Sequence, residues 1–112
     1  MNYKILVVDD ELDVGNLVKL FLQRFGCTVS IAGSGEEALN FPLKEFDLVI
    51  TDMVLPGMNG LDLYDKICND VRVMIMTGNE HPIPNGVVVL NKPFSLEELC
   101  ASVEKAMNVT KC

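Results

Sequence analysis

At 112 residues, 49% hydrophobic and 22% charged, the chain has material for one compact core and is too apolar for a disordered segment. A net charge of -7, from 16 acidic against 9 basic residues with no Lys or Arg cluster, argues against direct binding to nucleic acid or to an anionic membrane. The apolar run Ile5–Val8 after Met1-Asn2-Tyr3-Lys4 is too short for a signal-peptide core or a membrane span, so a cytoplasmic location is expected.

Apolar runs and helical patterns alternate along the whole chain. Ile5-Leu6-Val7-Val8 reads as a parallel strand buried on both faces and ends at Asp9-Asp10-Glu11. Val14, Leu17, Val18, Phe21 and Phe25 recur at helical spacing, with Gly26 as the stop. Cys27 to Ile31 predicts a second strand, and Ser34-Gly35-Glu36-Glu37 has the capping-box spacing of a helix that Pro42 cuts short. Asp47 to Asp52 is a third apolar run closing on an acid. The breaker-rich loop Met53 to Gly60 follows, then a helical face of Leu61, Tyr64, Ile67 and Cys68. Val71 to Met76 and Val87 to Leu90 predict strands four and five, ending at Thr77 and near Lys92-Pro93. Ser95-Leu96-Glu97-Glu98 is a second capping box, opening a last helix on Leu96, Leu99, Cys100, Val103 and Met107. Cys27, Cys68, Cys100 and Cys112 make no Cys-x-x-Cys pair, and three of them lie in apolar periodic stretches. Buried or idle thiols are therefore expected rather than disulfides or a metal site.

Alternating strands and helices predict an α/β fold with a doubly wound parallel sheet and right-handed crossovers. Such sheets place ligands outside the carboxyl ends of their strands. Asp9, Asp10, Asp52, Thr77 and Lys92 all fall at those ends and should converge on one crevice. Clustered carboxylates repel one another and call for a hard cation, for which Mg2+ suits an all-oxygen site without His or Cys. Lys92 adds an ammonium and Thr77 a hydroxyl, which together make a phosphoryl pocket with Asp52 as the best-placed nucleophile. Taken singly, Asp9 and Asp10 read equally well as helix-capping acids, whereas Asp52 reads more readily as the start of a loop and Lys92 as a solvated lysine. Their common location at one sheet edge outweighs those readings.

Ile5-Leu6-Val7-Val8-Asp9-Asp10-Glu11, Asp47 to Asp52 with Pro56-Gly57-Met58-Asn59-Gly60, Met76-Thr77-Gly78 and Lys92-Pro93-Phe94-Ser95 together resemble the response-regulator receiver family of two-component signalling, over nearly the whole chain. The resemblance implies a flavodoxin-like five-stranded sheet of order 2-1-3-4-5. Length predicts a single receiver domain over residues 1–112, and a last helix ending near Met107 is expected to leave no effector domain unless the sequence is a piece of a longer chain. By it, Asp52 is the phosphoacceptor. Asp9, Asp10, Asp52 and the Val54 backbone carbonyl hold Mg2+, and Thr77, Gly78, Lys92 and the Met53 backbone hold the phosphoryl group. It implies a cis peptide between Lys92 and Pro93 and a donor that is a sensor histidine kinase or phosphotransfer protein. By the same resemblance, output passes as a changed surface to a downstream protein or, in a homodimer, to a second copy of the chain, and catalysis is confined to self-phosphorylation and self-dephosphorylation.

Two positions depart from the family pattern. Val89 stands where an aromatic switch residue is usual beside Thr77. The link between Thr77 and Val87, about nine residues, is too short for a crossover with a full helix, so the fourth helix should be missing or reduced to a turn, the link spanning at most about 30 Å if extended. His81 in that link reads as a solvated residue, and Val54 and Asn79 flank the site. One rival reading is a pseudo-receiver that binds a partner without phosphorylation. Another is a metal-dependent phosphatase, disfavoured because Val54 stands where such enzymes carry a second acid.

Overall fold

The computed structural model describes residues 1–78, 83–109 and 111. Five strands, β1 (Lys4–Val8), β2 (Thr28–Ala32), β3 (Leu48–Asp52), β4 (Arg72–Thr77) and β5 (Val88–Asn91), form one parallel sheet of order β2-β1-β3-β4-β5. Helices α1 (Leu12–Gln23), α2 (Gly35–Ala38), α3 (Gly60–Ile67) and α4 (Leu96–Met107) lie between and after the strands, and a 3-10 turn, Leu43–Glu45, precedes β3.

Period-two alternation sorts the strand side chains into two layers. Ile5, Val7, Leu48, Ile50, Met74 and Met76 pack on one face with Val18 and Leu22 of α1 and Leu99 and Val103 of α4. Leu6, Val8, Val49 and Val73 pack on the other with Ala38 of α2 and Leu63 and Ile67 of α3. Burial on both faces is why β1, β3 and β4 read as unbroken apolar runs. Leu99 is 0% exposed in the buried stripe of α4, so Leu99→Ala should cost about 3 kcal/mol in denaturant melts, while Leu20→Ala on the outer face of α1 should stay within about 0.5 kcal/mol.

The helix ends follow local chemistry. Ser95 and Glu98 form a complete capping box at α4, and so do Asn59 and Asp62 at α3, a pair that the sequence pattern did not single out. At α2 the box is half formed: Ser34 Oγ accepts from the Glu37 amide, but the Glu37 carboxylate accepts from Gly33 N–H at 2.9 Å. α2 ends at Ala38, ahead of Pro42. In α1 the buried stripe is Gly15, Val18 and Leu22, whereas Leu17 and Phe25 are 47% and 41% exposed. Periodicity located the helix but placed its inner face a fraction of a turn away, because apolar residues lie on both sides of it.

Among the described residues between β4 and β5 there is no helix, as the short link required. The expectation that the cysteines are all buried or idle thiols needs one correction: Cys68 is disulfide-bonded, while Cys27 and Cys100 are free thiols. Cys68 ends α3 and lines one small cavity with Val71, Val109 and Lys111. That approach of Val109 and Lys111 to a distant helix end comes from tertiary packing and leaves no mark in cysteine spacing. Among the described residues no helix is long and apolar enough to cross a membrane.

Candidate functional site

Register brings the strand ends level. Val8 pairs with Ala32 and Thr51, Asp52 with Met76, and Thr77 with Asn91, so the residues at or just past these ends share one edge of the sheet. Asp9, Asp10 and Asp52 gather there, each offering a carboxylate oxygen within 4.8 Å of the others. Asp9 is fully buried and fixed at both ends. Its amide donates to Ala32 O at 3.1 Å and its Oδ1 accepts from Glu11 N–H at 2.9 Å. Asp10 is exposed at the rim.

Lys92 reaches the acids from the end of β5. Its Nζ donates to Asp52 Oδ2 at 2.9 Å and lies 3.8 Å from Asp9 Oδ2. Its backbone amide donates to Thr77 O at 2.8 Å, which ties the fifth strand's end to the fourth, and the Lys92–Pro93 peptide is cis. Thr77 is buried at the last position of β4. Gly78 follows it beside Lys92, with room for a Cβ at 3.9 Å from the lysine Cβ. Val54 is 56% exposed and its amide donates to Asp52 Oδ1 at 3.2 Å.

The Met53 backbone amide does not face the acids as expected. It donates to Met76 O at 2.8 Å, continuing the β3–β4 ladder, and the amide that reaches the Asp52 carboxylate is that of Val54. The alternation of a strand explains the difference, since successive amides point to opposite sides. Val89 sits half-buried in β5 opposite Ile75, as ordinary strand packing. Asn79 and His81 lie outside the described residues.

The charges are coupled. Burial pushes the Asp9 carboxyl above the usual carboxylate range, opposed in part by the Glu11 amide and Lys92 and reinforced by Asp52. For Lys92, burial alone would lower the pKa. The hydrogen bond and charge of Asp52, with the charge of Asp9, more than offset it, and the ammonium is held above the ordinary lysine value. Its contribution to stability is therefore fully present below the unfolded lysine pKa and is lost only as pH rises through the higher folded value. Lys92 stays cationic at neutral and mildly alkaline pH.

Among the described residues, Asp9 Oδ2 is the buried side-chain polar atom without a hydrogen-bond partner. A buried carboxylate oxygen that accepts no hydrogen bond, with two further carboxylates within reach and neither His nor Cys in the group, suits a hard divalent cation such as Mg2+.

Two residues that the sequence did not mark as site residues shape the strand end. Thr51 is fully buried, and its Oγ1 donates to Asp52 O at 2.9 Å. A Cβ on Gly60 would stand 2.5 Å from Asp52 O and 2.9 Å from Met53 Cα. Gly60→Ala must therefore displace the end of β3 or the start of α3. The expected outcome is a loss of about 2 kcal/mol in a thermal or denaturant melt together with weakened Mg2+ binding. Gly78→Ala, which meets no such obstacle, is the control.

Residues 5–104 match the model of the response regulator receiver domain. Sporulation initiation phosphotransferase F of Bacillus subtilis is 33% identical over 116 residues, spanning 94% of this chain and 94% of that protein. The uncharacterized transcriptional regulatory protein YrkP of Bacillus subtilis is 36% identical, and the match covers 92% of this chain but 48% of YrkP, so the chain spans about half the length of that relative. Among solved structures, the response regulator TrrA of Thermotoga maritima, crystallised in complex with Mg2+–BeF, superposes with a TM-score of 0.82 at 33% identity, covering 95% of this chain and 99% of that one. A response regulator receiver domain protein from Clostridium thermocellum gives a TM-score of 0.81 at 31% identity, over 95% and 94% of the two chains. With the sheet order, the level strand ends and the acid–lysine cluster they carry, these matches establish that the chain belongs to the response regulator receiver domain family.

Proposed function

We propose that the chain is a phosphorylation-controlled switch that accepts a phosphoryl group on Asp52 from a sensor histidine kinase or a phosphotransfer protein. The observation that carries this reading is the surroundings of Asp52: one carboxylate oxygen on the Lys92 ammonium, the other on the Val54 amide, beside the buried Asp9 Oδ2, which accepts no hydrogen bond. Asp9, Asp10, Asp52 and the Val54 carbonyl are the residues that would hold Mg2+. Bound there, the ion would neutralise the acids and the charge on the phosphoryl oxygens.

One Asp52 oxygen forms the new P–O bond as the P–N bond to a donor imidazole breaks, and the released imidazole nitrogen takes up a proton. Lys92 Nζ, the Thr77 hydroxyl and the backbone at Val54 and Gly78 would donate to the equatorial oxygens. Movement of Thr77 onto the phosphoryl group would then alter the β4–β5 surface, with Val89 shifting as a packed aliphatic residue. The downstream partner is a protein that reads that surface, in the cytoplasm, and self-association on phosphorylation fits the same logic.

The test is the intact mass after incubation with Mg2+ and acetyl phosphate. A single phosphoryl adduct that is lost at high pH and fails to form with a chelator supports the proposal. No adduct, and no transfer from a working phosphohistidine donor, would sink it in favour of a pseudo-receiver that binds partners unphosphorylated. Mg2+ alone should raise the melting temperature. A ligand at about 100 times its dissociation constant adds about 2.7 kcal/mol to the stability of the state that binds it, and calcium-free titration followed by circular dichroism would read the shift.

A further inference from the structure

The β1–β3 ladder stops at the Val8–Thr51 pair, so the Asp52 carbonyl lies one residue beyond it. A buried carbonyl in that position needs a donor. Thr51 supplies one: its side chain, 0% exposed, donates from Oγ1 to Asp52 O at 2.9 Å. The Asp52–Met53 peptide unit and the Met53–Val54 unit after it are held on other sides as well. Met53 N–H donates to Met76 O at 2.8 Å, Gly60 N–H donates to Met53 O at 2.9 Å, and Gly60 leaves no space above the Asp52 carbonyl for any side chain.

We propose that Thr51 is a positioning residue for phosphoryl transfer: its hydroxyl locks the Asp52–Met53 peptide plane and thereby sets the Asp52 carboxylate against Lys92 and the Val54 amide. This role rests on the reading of Asp52 as the phosphoacceptor. The link is geometric. The same peptide plane joins the Cα that carries the carboxylate to the residue before the amide that holds Asp52 Oδ1 at 3.2 Å. Rotation of the plane moves both partners of that contact at once. Reacting groups must be held to a fraction of an ångström for an in-line displacement, and a supporting hydrogen bond on the backbone is one way to do it. The competing interpretation is a threonine that satisfies its own hydroxyl locally and affects stability alone.

Thr51→Val removes the hydroxyl at nearly constant shape, and Thr51→Ser restores it while deleting a methyl group. Labelling by acetyl phosphate at saturating Mg2+, the lifetime of the aspartyl phosphate, the melting temperature and the Val54 amide resonance are measured for both. Thr51→Val should label about tenfold more slowly than wild type with a displaced Val54 resonance, and Thr51→Ser should label within about twofold of wild type. If Thr51→Val does not fold, Thr51→Ala, which leaves room for relaxation, should show the same slow labelling. Wild-type labelling in the variants lacking the hydroxyl, or a loss in Thr51→Ser that matches the loss in Thr51→Val and follows the melting temperature, overturns the role. An unlabelled wild type would instead overturn the reading of Asp52 and this role with it.

Discussion

Asp52→Asn is expected to leave a folded protein that takes up no phosphoryl group at all. A carboxamide oxygen is not a nucleophile toward phosphorus, and a mixed anhydride cannot form on it, so the effect is a complete loss rather than a slower rate. The fold should tolerate the change. Asparagine keeps an oxygen to accept the Val54 amide at the position where Asp52 Oδ1 now accepts it at 3.2 Å. It gives up the charged contact of Asp52 Oδ2 with Lys92 at 2.9 Å, but it also removes one of three mutually repelling acids. These changes oppose each other, and the cation-free melting temperature should stay near that of wild type. The stabilisation by Mg2+ should shrink. Mass spectrometry for the adduct and a melt with and without Mg2+ separate the chemical loss from any structural one; an adduct of unchanged stoichiometry in Asp52→Asn would place the phosphoacceptor elsewhere.

Lys92→Ala should label more slowly by about 10² to 10³-fold, the usual cost of losing one preorganised charge at a developing anion. The ammonium is only half-buried, yet it is fixed by two acids and by the Lys92 amide on Thr77 O at 2.8 Å, so little reorganisation is needed when a phosphoryl group arrives. Lys92→Arg should recover little of the rate, because a planar guanidinium presents its donors in a fixed fork where a compact point charge is required. Because the wild-type pKa is raised, its labelling rate should show no fall from lysine titration between pH 7 and about 9. Labelling time courses at several pH values test both statements, and a Lys92→Ala rate within twofold of wild type would remove the lysine from the mechanism.

Most of the site was legible because each of its members ends an apolar run. A strand buried on both faces announces itself by composition, and Asp9, Asp52, Thr77 and Lys92 are the polar residues at which β1, β3, β4 and β5 stop or just before which they stop. The capping box at Ser95 and the lack of room for a helix between Thr77 and Val87 were local facts of spacing, and both hold among the described residues. Other features depend on what lies across space. Thr51 reads as one more β-branched residue in a strand, and only the end of the β1 ladder makes its hydroxyl matter. Gly60 reads as a loop breaker, although its constraint is the Asp52 carbonyl 2.5 Å from where its side chain would begin. The Met53 amide was assigned to the site by family pattern, but strand alternation turns it toward Met76. Leu17 and Leu22 both fit a helical stripe, and which is buried depends on how α1 rests on the sheet.

The site draws its residues from the ends of four strands that are distant in sequence and adjacent in the sheet. Parallel pairing of this kind is slow to form, since each crossover must close before its ladder contributes. Lys92 follows the sheet's last strand to leave a ribosome, and a chain that has not yet docked β5 holds its acids without their ammonium. If Asp52 accepts a phosphoryl group as proposed, full competence to do so would arise only on completed molecules, and half-made or misfolded copies would answer a donor weakly rather than act as false messengers.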